Sequence, residues 1–246
     1  MSVHLVGGGW SETGSDSVFA PFVIEAAARA ESVGYAGRPR IAVIVVRDGD
    51  GLDHAAKLVA EASIDTEIDD RKTVLVENYP ADPAILDDVD GILVGGGLTP
   101  AYHASLSPLF DRLRELVGAG VPYLGFSAGA MIAAERAIVG GWRIGGVAVA
   151  PEETGEELDD VAVLPGIGLV DLSIDVHAAQ WGTLGRLVAA AAAGISDGGV
   201  AIDEGTALIV GGETGARVIG SGNVWRVLPT GDGSATVSAI AAVEVD

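Results

Sequence analysis

Short unbroken apolar runs alternate along this chain with longer stretches in which apolar positions return every three or four residues. The first pattern marks strands covered on both faces, the second helices with one covered side. Val3-His4-Leu5-Val6 reads as the opening strand and runs into Gly7-Gly8-Gly9-Trp10. That turn is not G-x-G-x-x-G, so it is weak evidence for a phosphate site. Polar residues 11–17 form a loop, with Asp16 or Ser17 as the N-cap of a helix over 18–33 that Gly34 closes. Arg40–Val46 is a continuous β-branched strand, residues 51–62 a helix, and 73–77 a further strand. Residues 83–88 form a short helix at most. A strand over 90–94 then stops abruptly at Gly95-Gly96-Gly97-Leu98-Thr99-Pro100, and a helical region over 101–117 follows. This alternation predicts an α/β fold: a doubly wound, mostly parallel, flavodoxin-like sheet with helices on both faces. Ligands of such sheets bind beyond the carboxyl ends of the strands.

The next apolar run, Val121-Pro122-Tyr123-Leu124, enters Gly125-Phe126-Ser127-Ala128-Gly129, a G-x-S-x-G, and a helix over 130–139 is expected after it. A serine between two such glycines can sit on a sharp strand-to-helix turn with its hydroxyl clear of the backbone. The helix N-terminus behind it favours an oxyanion. The turn at Gly95 to Thr99 lies at the same sheet edge. The N–H groups near Gly97 and Leu98 are therefore placed to join that of Ala128 as an oxyanion hole.

Beyond the serine the composition changes. Glycine pairs punctuate short apolar runs, and residues 151–160 form a strongly acidic loop, read as a solvated turn. A strand around 170–174 leads to Asp175-Val176-His177, then a helix over 183–193, then Val200-Ala201-Ile202 running into Asp203-Glu204-Gly205. The remaining segments (207–210, 217–220, 224–227 and 235–245) read as antiparallel strands extending the sheet edge, within one domain spanning 1–246.

A chain of 246 residues that is 49% hydrophobic can bury one large core. It has no cysteine, which removes disulfides, thiolate zinc sites and a cysteine nucleophile together. No basic-then-apolar leader opens it, and no apolar run approaches the ~18 residues of a membrane helix. A cytoplasmic protein without membrane partners is the resulting expectation. The net charge of −21 argues against nucleic acid, whose phosphates would be repelled.

A serine nucleophile needs a base, and the base an orienting acid. Of the four histidines, His4 lies in the first strand and His54 starts an exposed helix, where it is read as solvated. His103, just after the glycine turn, is a second choice. His177 follows a strand and stands where a base is needed. Glu204 is the first choice of acid, with Asp175 and Asp203 as alternatives. The resulting order Ser…His…Glu differs from that of the α/β-hydrolases, where histidine comes last.

Gly95 to Thr99, Gly125 to Ala130, Leu164-Pro165-Gly166-Ile167-Gly168-Leu169, Asp175-Val176-His177, Leu184-Gly185-Arg186-Leu187 and Gly199 to Ala207 resemble, in order, the blocks of the cyanophycinase-like branch of peptidase family S51. That family includes the Asp-dipeptidase peptidase E and has the class I glutamine amidotransferase-like fold. The resemblance implies a serine peptidase with Ser127 as nucleophile, His177 as base and Glu204 as acid, dimeric and without metal or cofactor. It also marks Thr99, Asp175, Gln180, Trp181, Thr183 and Arg186 as substrate-binding positions. Val176 replaces a glutamine of the cyanophycinases. Trp181 and Thr183 stand where that family carries arginines for the polymer's carboxylates, leaving only Arg186, and Thr99 replaces glutamine as in peptidase E. The expectation is a hydrolase of small or aspartyl and isoaspartyl peptides, not of cyanophycin. An esterase or amidase on a non-peptide substrate, or a non-catalytic binding protein of the same fold, are the alternatives. A glutamine amidotransferase is excluded, because its nucleophile is a cysteine.

Overall fold

The computed structural model describes residues 2–10, 18–212 and 215–243. The expected loop over 11–17 and its N-cap, Asp16 or Ser17, lie outside them. The first half alternates strand and helix: β1 (Ser2–Val6), α1 (Ala20–Ser32), β2 (Arg40–Val46), α2 (Gly51–Ala62), β3 (Asp69–Leu75) and β4 (Gly91–Val94). Next come α3 (Thr99–Leu106), α4 (Phe110–Gly118), β5 (Tyr123–Phe126) and the single turn α5 (Ala128–Met131). The second half is mainly strands: β6 (Arg136–Gly140), β7 (Arg143–Ile144), β8 (Val147–Ala148), β9 (Ala162–Pro165) and β10 (Ser173–Val176). After α6 (Leu184–Ala192) come β11 (Gly199–Ile202), β12 (Thr206–Gly211), β13 (Ala216–Gly220), β14 (Asn223–Pro229) and β15 (Ala235–Ala241).

Seven strands form the main sheet in the order β13-β12-β1-β5-β4-β2-β3. From β1 to β3 every neighbouring pair is parallel, and β12 and β13 add an antiparallel edge. The expected doubly wound, mostly parallel sheet is thus present. Both faces of β2 are covered. Ile41, Val43 and Val45 pack with Phe22 and Ala26 of α1 and Leu58 of α2, whereas Ala42, Ile44 and Val46 pack with Tyr102, Leu106 and Leu113 of α3 and α4. Alternate side chains of a strand point to opposite faces, so an unbroken apolar run is what two buried faces require.

Three expectations need correction. The helix anticipated over 130–139 is only α5. Residues 126–134 are buried without interruption, so the segment has no solvent face for an amphipathic helix. Arg136–Gly140 instead pairs antiparallel with Ala162–Pro165. The helix over 101–117 is two, parted by a 3-10 turn at Ser107–Leu109 where Pro108 has no N–H to donate. Lastly, the C-terminal strands do not all extend the main sheet. β14 and β15 join β10 and β11 in a second sheet, β10-β11-β14-β15. Asp203 explains the switch: its carboxylate accepts from the Asn223 N–H at 2.9 Å and from the Trp225 indole N–H at 2.9 Å, pinning β14 to the end of β11.

The second sheet is anchored by a buried ion pair. The Arg186 guanidinium donates to both carboxylate oxygens of Asp175, at 2.8 and 2.6 Å, and to the carbonyls of Thr154 and Gly141. Both side chains are essentially without solvent exposure. The bidentate carboxylate raises the already high pKa of Arg186 against the opposing effect of burial. Arg186→Met would leave the buried Asp175 carboxylate without its counter-ion, holding only the Val176 N–H, and two carbonyls without this donor, and breaking such a pair costs about 3–5 kcal/mol. Urea denaturation should show a loss of that size. A loss under about 1 kcal/mol would mean that the pair contributes little.

Candidate active site

Between β5 and α5, Ser127 has φ 53° and ψ −112°, a backbone region that non-glycine residues rarely occupy. Its surroundings enforce the turn. The Ser127 N–H donates to the Val6 carbonyl at 2.9 Å. A Cβ at Gly125 would lie 2.4 Å from the Gly129 carbonyl group, and one at Gly129 would lie 2.3 Å from the Val94 oxygen. The two glycines of the motif are therefore needed because backbone passes backbone there.

The turn presents Ser127 Oγ 2.9 Å from His177 Nε2, and His177 Nδ1 lies 2.6 Å from Glu204 Oε1. With Nδ1 donating to the carboxylate, Nε2 is left as the acceptor for the serine hydroxyl. β10 and β11 run parallel with Val176 beside Ile202, so the residues that follow each strand, His177 and Glu204, leave the second sheet at the same end. Burial lowers the His177 pKa below the ordinary imidazole value, while hydrogen bonding to Glu204 and its charge pull the other way. The folded state thus favours the neutral ring, the form that can accept a proton.

The other side chains proposed from sequence fall into two groups. Trp181 stacks on the His177 ring with centroids 3.8 Å apart and planes 8° from parallel, and it is 47% exposed. Gln180 accepts from the Glu204 N–H through Oε1 at 3.0 Å. Both stand at the site. Thr99, Asp175, Thr183 and Arg186 do not line it as free contacts: all four are buried and engaged within the protein. Thr183 donates to the Val176 carbonyl, Thr99 packs its hydroxyl against Met131 Sδ, and Asp175 and Arg186 hold each other. Neither alternative acid reaches the His177 ring, since Asp203 is committed to Ala179, Asn223 and Trp225. His103, the second choice of base, is engaged with the Pro165 carbonyl at 2.8 Å.

Two expectations about the surroundings are overturned. His54 is not solvated. It sits half-buried against Trp10 and Phe126, and its Nε2 accepts the Gly96 N–H at 3.2 Å. Burial first, then the nearby Arg47 charge, lowers its pKa to about 4. The acidic loop is not wholly solvated either. Glu156 turns inward and accepts the Thr99 N–H at the start of α3, and burial pushes its carboxyl up to about 7. The N–H groups of Gly97, Leu98 and Ala128 have no partner among the described residues. They remain available at the edge where Gly96 approaches Ser127 so closely that a Cβ on it would lie 2.9 Å from that of the serine.

The model of peptidase family S51 matches residues 67–218, which include Ser127, His177 and Glu204. The chain belongs to peptidase family S51. Among curated relatives, cyanophycinases of Trichormus variabilis and of a Nostoc species are each 30% identical over 151 residues, 60% of this chain. The match spans about half, 48%, of the length of those relatives. Among solved structures, a peptidase from an acI-B1 Actinobacterium aligns over 98% of this chain and 94% of its own, with TM-score 0.60 and 16% identity. A putative peptidase E protein from Listeria monocytogenes aligns over 89% of this chain and 98% of its own, with TM-score 0.51 and 15% identity. At those identities the likeness is one of fold, and it agrees with the α/β sheet described above.

The glycines after β1, dismissed above as a weak phosphate signal, have a structural role in this S51 chain. The Gly7 carbonyl accepts the His177 N–H at 3.0 Å and the Gly8 carbonyl accepts the Gly205 N–H at 2.9 Å. A Cβ on Gly8, whose φ is 91°, would lie 2.1 Å from His177 Cε1, and one on Gly9 would lie 2.6 Å from Glu204 Cβ. Their sequence signal was glycine in succession at a strand's carboxyl end, for which positive φ and close backbone approach are both physical reasons. Gly8→Ala should fold yet displace His177. A shift near 1 Å at such a group costs about a hundredfold in rate, so covalent labelling of Ser127 by a fluorophosphonate should slow by that order with far-ultraviolet circular dichroism unchanged. Labelling as fast as in the parent would show that the close packing of Gly8 on the ring is dispensable.

Proposed function

We propose that this chain is a serine-type peptidase acting on small peptides, with Ser127 as nucleophile, His177 as general base and acid, and Glu204 as the acid that orients it. The observation that carries this reading is the unbroken line of hydrogen bonds from Ser127 Oγ through both nitrogens of His177 to Glu204, starting from a strained serine. Ser127 Oγ attacks the scissile carbonyl while its proton passes to His177 Nε2. The carbonyl oxygen becomes an oxyanion facing the N–H groups of Gly97, Leu98 and Ala128, where a donor of this kind lowers the barrier by about 3 kcal/mol. Glu204 orients the ring and stabilises the imidazolium that forms. Collapse breaks the C–N bond, and His177 returns its proton to the leaving amine. Water then attacks the acyl-enzyme, giving its proton to His177, and the Ser127 oxygen leaves and takes that proton back, releasing a carboxylic acid.

The substrate reading is a small peptide, including aspartyl and isoaspartyl linkages, and not cyanophycin. A polymer rich in carboxylates is best held by guanidinium forks. Here Arg186 is spent on Asp175, and the exposed position beside the base is the indole of Trp181.

Digestion of a peptide library read by mass spectrometry tests both statements, with Ser127→Ala as control. Cleavage by the parent protein should fall by at least about a thousandfold in Ser127→Ala and be much faster on the best short peptide than on cyanophycin. As pH rises, activity should increase through an ionisation below the usual 6.5 of histidine, because burial holds the neutral form of His177. Cleavage that persists in Ser127→Ala would remove the serine from the mechanism, and cyanophycin turnover equal to that of the best peptide would refute the specificity.

A further inference from the structure

The turn at Gly96 is held from three sides by side chains that no step above uses. Arg47 Nη1 donates to the Gly96 carbonyl at 3.1 Å, and the buried Tyr102 hydroxyl donates to the same oxygen at 3.1 Å. The N–H of Gly96 is taken by His54 Nε2. The Arg47 guanidinium is itself aimed by Asp50, whose two carboxylate oxygens accept from Nε and Nη2 at 2.8 Å each. Gly97 lies tight against this pair, since a Cβ there would come within 3.0 Å of the Tyr102 ring and 3.1 Å of Arg47 Cγ.

The described chain has no cis peptide, and in a trans peptide the C=O of one residue and the N–H of the next point in opposite directions. Two donors gripping the Gly96 oxygen therefore turn the Gly97 N–H away from Arg47 and Tyr102. No described group accepts it there. A cationic donor on a carbonyl also draws electron density from the amide and strengthens its N–H as a donor at the other end. We infer that Arg47 and Tyr102 are positioning residues, which fix and polarise the Gly96–Gly97 peptide so that the Gly97 N–H serves the oxyanion. This rests on the reading of Ser127 as nucleophile and adds to it the source of the hole's strength. Because a full negative charge exists on the carbonyl oxygen only near the transition state, the contribution of Arg47 belongs to kcat and to tetrahedral adducts, not to ground-state binding.

Arg47→Met, Arg47→Lys and Tyr102→Phe are compared with the parent for kcat and KM on the best library peptide and for inhibition by phenylboronic acid, which forms a tetrahedral adduct on a serine oxygen. Arg47→Met should lower kcat about tenfold with KM unchanged and weaken phenylboronic acid by a similar factor. Arg47→Lys should recover most of both. Tyr102→Phe should move both in the same direction, by about threefold, and it serves alone if Arg47→Met does not fold. Variants that keep kcat and boronate affinity within twofold of the parent, that change KM alone, or that lysine does not rescue, overturn the inference. A parent protein that cleaves no peptide and binds no phenylboronic acid refutes the nucleophile reading and this inference with it. An active parent with indifferent variants refutes this inference alone.

Discussion

Three consecutive carbonyls at the end of β1 hold the site together. Val6 accepts from Ser127, Gly7 from His177 and Gly8 from Gly205, the neighbour of Glu204. One short stretch of backbone is thus bonded to all three segments that supply the hydroxyl, the imidazole and the carboxylate. Two of those segments come from the second sheet and one from the main sheet, so the end of β1 is where the sheets meet. Side chains are excluded from the junction by distance, as a Cβ on Gly7 would lie 2.2 Å from the Asp203 carbonyl oxygen. Backbone hydrogen bonds are short and directional, and three side chains referenced to a common strand inherit the rigidity of a buried sheet.

That arrangement lets the chain sustain unfavourable local states. Ser127 and His177 both have positive φ, at 53° and 55°, which costs of order 1–3 kcal/mol for each residue. The cost is offset by the packed core behind them, where β5 and α5 are wholly buried. The same burial depresses the His177 pKa and sets Glu204 as the only described acid touching its ring. Indole stacking by Trp181 then covers the imidazole from solvent while remaining half exposed itself. Strain, desolvation and stacking all act on one imidazole, and Glu204 keeps it in the tautomer that faces the serine.

Much of this was legible in sequence because its causes are local. β-branched runs such as Arg40–Val46 have few other uses than a doubly covered strand, and α2 begins and ends where its apolar period does. G-x-S-x-G announced the turn at Ser127 because glycine is demanded by clashes within a few residues of it. The illegible parts depend on contacts between distant segments. Asp203 diverts β14 from one sheet to the other through residues twenty or so positions away. Arg186 was marked as a substrate contact by family resemblance, yet Asp175 and two carbonyls consume it. His54 looked solvated at a helix start, and only the fold reveals that Gly96 lies against it. Glu156, in a loop read as solvent-facing by charge alone, instead caps α3.

The claim on which everything else leans is that the Ser127 oxygen is made nucleophilic by His177. Covalent capture by a fluorophosphonate, followed by peptide mapping of the adduct, measures this directly. A single phosphonyl group on the peptide containing Ser127, absent in Ser127→Ala and slowed by at least about a hundredfold in His177→Gln, is the result the account predicts. An adduct on any other residue, or labelling of Ser127 that proceeds equally fast without His177, would contradict it.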